Sequence, residues 1–157
     1  MKNMRQGFTM VELIFVIVII GILAAVAIPR LSATREDAKI ASIIADARTG
    51  LGDMTSFYTS QGGAVWRDAN TTLPAVTNVA FKATCADAGP STAAVYDTDF
   101  LLCDAQDGTA CITFTTTATD IIITTDSTGT VCNIIANEPA IIAMTGSNPL
   151  GGVKVAR

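Results

Sequence analysis

Residues 7–29 read GFTMVELIFVIVIIGILAAVAIP, a long apolar run that carries one carboxylate, Glu12, near its start. Phe8 to Ile28 is 21 residues, or roughly 31 Å of helix at about 1.5 Å per residue. That length matches a bilayer hydrocarbon core of about 30 Å. A carboxylate inside such a segment costs several kcal/mol, so it marks a function and calls for a partner. Lys2 and Arg5 precede the run, and a basic flank of this kind predicts a cytoplasmic N-terminus with everything after Arg30 on the far side of the membrane. A secretory signal peptide would use Ala25-Val26-Ala27 as its cleavage site. That reading, like a permanent signal anchor, leaves Glu12 without a purpose.

The stretch Gly7-Phe8-Thr9-Met10-Val11-Glu12-Leu13, followed by the run to Pro29, resembles the N-terminus of type IV pilins and type II secretion pseudopilins, over about the first third of the chain. The resemblance implies a leader, residues 1–7, removed after Gly7 by a prepilin peptidase that also methylates the new amine of Phe8. It implies that Glu12 is the family's acidic assembly residue, and that Gly21 and Pro29 are the helix-loosening positions. It also implies partners: further copies of the chain, an inner-membrane assembly platform and an assembly ATPase. Physical chemistry agrees with the role of Glu12. After cleavage Phe8 carries a positive amine at the end of an apolar helix, and the Glu12 carboxylate of a neighbouring copy can neutralise it. An isolated charge there is very costly and a hydrogen-bonded pair much less so. Such a pair also fixes register.

Beyond Pro29, which removes a backbone donor and is expected to kink the helix, residues Ile40, Ile44, Ala47, Leu51, Met54 and Tyr58 recur at spacings of three and four, a helical apolar stripe. Gly50 and Gly52 each lower helix propensity by about 1 kcal/mol relative to Ala. One helix is expected from about Phe8 to about Ser60, ended by Gly62-Gly63. Residues 64–110 read as a loop-dominated region with short elements at Val95-Tyr96 and Phe100–Leu102. Three alternating or β-rich stretches then follow, Cys111–Thr117, Asp120–Asp126 and Thr130–Ile135, and predict an antiparallel meander. Thr145–Arg157 reads as an extended tail. The expected class is therefore α+β: residues 8–29 membrane and filament-core helix, 30–61 its amphipathic half, and 62–157 a β-rich head packed on that half.

Of 157 residues, about 128 remain for the soluble part, enough for one small domain. Loss of Lys2 and Arg5 with the leader takes the formal net charge from −4 to −6, which argues against direct nucleic-acid binding. The chain has no histidine, so no Ser-His-Asp or Cys-His arrangement can be built, and no enzyme activity or cofactor is expected. The carboxylate pairs Asp97 with Asp99, and Asp104 with Asp107, read as solvated turns. Asp104-Ala105-Gln106-Asp107-Gly108 lacks the calcium-loop spacing, and the stretch from Ser147 to Arg157, where related pseudopilins hold calcium, has no acidic residue; no metal site is expected. Cys85, Cys103, Cys111 and Cys132 lie in the part expected to be exported, where four cysteines favour two disulfides and allow three pairings. An antiparallel return of the strand ending at Asp126 brings the chain back beside Cys111, and Cys132 follows six residues later. Cys111–Cys132 with Cys85–Cys103 is accordingly favoured. Zinc or redox use lacks the CxxC spacing both usually need. Asn70-Thr71-Thr72 has the letters of a glycosylation sequon on an expected loop, which by themselves carry little in a bacterial-type chain.

Two functions from different classes fit. One is a structural subunit of a type IV pilus or type II secretion pseudopilus, held in the inner membrane with its head in the periplasm until it joins an extracellular pilus or a periplasmic pseudopilus. The other is an exported, disulfide-stapled binding protein cut after Ala27. Adhesion, motility, DNA uptake and protein secretion are all roles such a filament can serve.

Overall fold

The computed structural model describes residues 8–151, in which α1 (Met10–Trp66) begins the chain. Two units divide it, Met1–Ala38 and Lys39–Arg157. In the first, the stretch Met10–Ile28 is long and apolar enough to cross a membrane, and none of it is buried within the chain. Helical dihedrals continue through Gly21 and Pro29; the departure inside α1 falls at Gly62, with φ 81° and ψ 163°.

The second unit places residues 39–66 of α1 in one core with the sheet. Ile40, Ala47 and Met54 are buried there, with Ile44, Leu51 and Tyr58 packed against them. The apolar face of the stripe is what the head covers, from Lys39 on. The helix also outlasts Ser60. Gly62 breaks it, yet a further turn runs to Trp66, whose indole is fully buried and donates from Nε1 to the carbonyl of Thr117 at 2.9 Å. Tyr58 meets Trp66 edge-on, with ring centroids 5.9 Å apart. Tertiary contact outweighs the two glycines.

After α1 comes a short helix, α2 (Leu73–Val76), followed by four strands and two more short helices: β1 (Asp99–Cys103), β2 (Ala110–Thr116), β3 (Asp120–Thr125), α3 (Thr130–Asn137), α4 (Pro139–Ile142) and β4 (Gly146–Pro149). The sheet is antiparallel throughout, in the order β1-β2-β3-β4. Alternation explains β2: Ile112, Phe114 and Thr116 are buried while Thr113 and Thr115 are half-exposed. Phe114 and Phe100, neighbours in register, flank Phe81, with centroids 4.9 Å and 6.2 Å from it. Phe81 sits in the irregular region read as loop, pinned by a bridge between Lys82 and Leu101. Val95 is buried but forms no strand.

Thr130–Ile135 is a helix, contrary to the strand its β-branched letters suggest. Val131, Cys132 and Ile135 are buried while Asn133 and Ile134 are exposed. Strand alternation would have put Asn133 on the same face as Val131 and Ile135, burying an amide, whereas helical spacing leaves it in solvent. Gly129, at φ 84°, lets the chain turn off β3 into α3. The place beside β3 is taken instead by β4, from the Gly-rich tail; Asn148 anchors it by donating from Nδ2 to the Met144 carbonyl at 2.8 Å.

Both disulfides join distant pieces of this head. Cys111–Cys132 ties β2 to α3, and Cys85–Cys103 ties the irregular region to the end of β1. Cys111 and Cys132 are buried, whereas Cys85 and Cys103 are half-buried.

Gly50 has a packing reason that propensity does not reveal. A Cβ there would lie 2.7 Å from Cε2 of Phe81 and nearer still to Cζ, and Phe81 is fully buried. At Gly52 a Cβ meets nothing within 4 Å. Gly50→Ala is therefore expected to destabilise the head by about 1–3 kcal/mol through overpacking. Gly52→Ala is expected to stabilise it by about 0.5–1 kcal/mol through helix propensity. Urea unfolding followed by the fluorescence of Trp66, the one tryptophan, measures both, and equal responses at the two sites would remove the packing explanation.

Candidate assembly segment

The N-terminus of α1 is built by Thr9 and Glu12. Thr9 offers its carbonyl to the Leu13 N–H at 3.3 Å, the first turn of the helix. Its own N–H and its Oγ1 donate to Oε2 of Glu12 at 2.9 and 2.8 Å, and the Glu12 N–H donates back to Thr9 Oγ1 at 3.3 Å. This is a capping box, in which two donors that a helix start leaves orphaned are satisfied reciprocally. A carboxylate in the first turn also complements the positive end of the helix dipole. The Thr-x-x-Glu spacing is the sequence signal for it; the apolar surroundings draw attention to an intermolecular partner instead.

Glu12 shares one hollow with Phe8, Leu13, Phe15 and Val16, and Phe8 is 88 % exposed. From Phe8 to Leu31 the large apolar side chains stand exposed along the helix. Burial of each in an apolar environment is worth about 1.5–3 kcal/mol, so this surface requires lipid or other helices. Gly7, the expected processing position, lies outside the described residues.

In the head, side-chain chemistry serves structure. Asp104, read from sequence as a solvated turn, is 2 % exposed and accepts the Gln106 N–H at 3.0 Å, shaping the β1–β2 turn; Asp107 is exposed. Thr115 donates to Asp99 at 2.6 Å. Hydrogen bonds from Thr119 and Ser147 hold the Asp120 carboxyl below its usual range, and Thr128 does the same for Asp126. Thr77 donates to Asp53 of α1 at 2.7 Å and locks the segment after α2. Among the described residues, no buried side-chain polar atom lacks a partner, and no three His, Cys, Asp or Glu side chains gather as a metal site.

An exposed apolar helix with an acidic capped start, followed by an α+β head, is a pilin-like arrangement. The prokaryotic N-terminal methylation motif is matched over residues 2–28. The chain is 33 % identical over 82 residues to the type IV major pilin protein PilE of Neisseria gonorrhoeae, covering 52 % of this chain and 48 % of that one. It is 34 % identical over 82 residues to a fimbrial protein of Neisseria meningitidis, covering 52 % and 47 %. To the type IV major fimbrial protein FimA of Dichelobacter nodosus it is 60 % identical over 30 residues, 19 % of each chain. The motif and these likenesses show that the N-terminal half of the chain is similar to type IV pilins. The match spans about half the length of the first two relatives, and no solved structure matches significantly.

Proposed function

We propose that this chain is a structural subunit of a type IV pilus, without enzymatic activity. The observation that carries this reading is the apolar helix, none of whose Met10–Ile28 stretch is buried within its own chain. Before assembly lipid covers that surface, with the N-terminus cytoplasmic and the head periplasmic. In the filament the same surface packs against neighbouring copies, and the heads form the exterior. A prepilin peptidase cuts after Gly7 and methylates Phe8, and an assembly platform with its ATPase moves the helix from lipid to bundle. There the Phe8 amine of one copy meets the Glu12 carboxylate of another, while Gly21 and Pro29 let the helix loosen as it packs. The capping box supports this arrangement, since it occupies Oε2 of Glu12 and leaves the other oxygen as an acceptor for the amine.

Mass spectrometry of the mature N-terminus tests the proposal. The expected chain begins at N-methylated Phe8; one beginning at Ile28 would mean a conventional signal peptide and an exported soluble protein. Deleting the chain and imaging the cell surface separates pilus from secretion pseudopilus. Loss of filaments is expected, whereas intact filaments with failed secretion would point to the pseudopilus.

A further inference from the structure

The sequon Asn70-Thr71-Thr72 plays no part in the assembly chemistry, and it is the one Asn-x-Ser/Thr triplet in the chain. It lies in the turn that leaves α1. The Thr71 N–H donates to the Asp68 carbonyl at 2.9 Å, which closes the turn with Asn70 near its apex. Asp68, Ala69 and Asn70 are all exposed. The two threonines that follow are used differently. Thr71 is buried and its hydroxyl donates to the Val65 carbonyl at 2.7 Å, so the fold consumes it. Thr72 is half-exposed and its hydroxyl makes no capping bond to α2, although it occupies the N-cap position. The Asn70 side chain, exposed and bonded only within the turn, and the Thr72 hydroxyl are therefore the two groups of the triplet that the core does not use.

Asp68 adds a third feature. Its Oδ1 accepts both the Asn70 N–H and Nδ2 at 2.9 Å. The carboxylate orients the Asn70 side chain and polarises the amide N–H. It also sets a negative charge two residues before the acceptor, which a cationic group in an enzyme groove can read.

We infer that Asn70 is the acceptor of an N-linked oligosaccharide on the head, with Thr72 and Asp68 as the residues that make it recognisable to the transferase. The co-substrate is a lipid-pyrophosphate-linked oligosaccharide. The Asn70 amide nitrogen attacks the anomeric carbon, forming a C–N bond as the C–O bond to pyrophosphate breaks. The lipid pyrophosphate leaves with the bonding electrons, and the amide proton passes to a base of the transferase. The fold accommodates the product because Asn70 is exposed in a turn, and the glycan extends into solvent. The inference rests on export of the head, since the donor and its transferase act across the membrane.

Peptide mapping by mass spectrometry of full-length protein from its native host provides the test. An oligosaccharide mass on the peptide holding Asn70 is expected, absent in Asn70→Gln and Thr72→Val and retained in Thr72→Ser. Asp68→Ala should lower occupancy several-fold. Trp66 fluorescence confirms that each variant is folded. Unmodified Asn70 in the wild-type chain, or full occupancy in Thr72→Val, overturns the inference; full occupancy in Asp68→Ala removes the acidic handle from it. Filaments that form with unmodified Asn70 leave the subunit reading standing, whereas a glycan at Asn70 on a chain that forms no filaments does the reverse.

Discussion

Glu12→Ala is expected to abolish filament growth while leaving membrane insertion and leader removal largely intact. Removing the carboxylate makes the spanning segment more apolar, and insertion scales charge about 2.5–3.5 kcal/mol for an acid at the centre of such a helix. Insertion therefore does not suffer. The capping box is lost, at about 0.5–2 kcal/mol, which frays the first turn but cannot unfold a helix of this length in lipid. The large effect lies in assembly. Without its acceptor, each Phe8 amine enters the apolar bundle unpaired, and breaking a buried pair by removing one partner costs about 3–5 kcal/mol. That is on the order of a hundred- to several-thousand-fold per contact, repeated at every subunit. Electron microscopy of the cell surface reads filament loss, and an immunoblot of the membrane fraction reads the accumulated mature subunit. Abundant filaments built from the variant alone would remove the pairing argument. Glu12→Gln separates the two roles of the side chain, because glutamine also completes a capping box but carries no charge. Filaments from Glu12→Gln would assign the role to the cap rather than to the ion pair.

The double variant Cys111→Ala/Cys132→Ala is expected to cost the head about 2–5 kcal/mol, a large fraction of the 5–15 kcal/mol by which such domains are stable. The two disulfides span nearly equal separations, 21 residues for Cys111–Cys132 and 18 for Cys85–Cys103. Loop-closure entropy alone therefore gives about 3 kcal/mol for either. Their difference arises from placement. Cys111 and Cys132 are both buried, Cys132 beside Val131 and Ile135 among the buried residues of α3, so their loss also opens a void between β2 and α3. Removing Cys85–Cys103 leaves that core intact and is expected to cost less. Its half-buried sulfurs should also be the first to react with a mild reductant, since thiol–disulfide exchange depends on access. Urea midpoints read through Trp66 fluorescence, and alkylation mapping during reduction, check both statements. Equal midpoints for the two double variants would show that closure entropy acts alone.

The elements legible in the sequence are those whose periodicity is long or strict. Residues 8–28 announce a membrane-length helix, and the stripe from Ile40 to Tyr58 announces the face that the head covers. Alternation identifies β2 and β3 for the same reason, since apolar side chains at every second position share one face of a strand but scatter around a helix. Short segments are ambiguous. Thr130–Ile135 is β-branched enough to read as a strand and becomes a helix because its burial demand falls on Val131, Cys132 and Ile135 with Asn133 outside. Strand β4 carries no signal, because four residues of Gly-Ser-Asn-Pro take their conformation from the edge of β3. The candidate assembly residues, Phe8 and Glu12, stand out in the sequence, whereas the bond between Thr9 and Glu12 does not. Thr-x-x-Glu reads as a cap only once the helix start is located.

The sequence by itself determined that this chain has an apolar helix with an acid at its head, and that a domain with four cysteines follows. Those conclusions rest on hydrophobic length, charge placement and periodicity, which are local properties. Only the tertiary structure decided that Trp66 closes α1 against the Thr117 carbonyl, that Phe81 requires glycine at position 50, and that a helix rather than a strand carries Cys132. Those outcomes depend on which distant surfaces meet, and packing of that kind is settled among residues far apart in sequence.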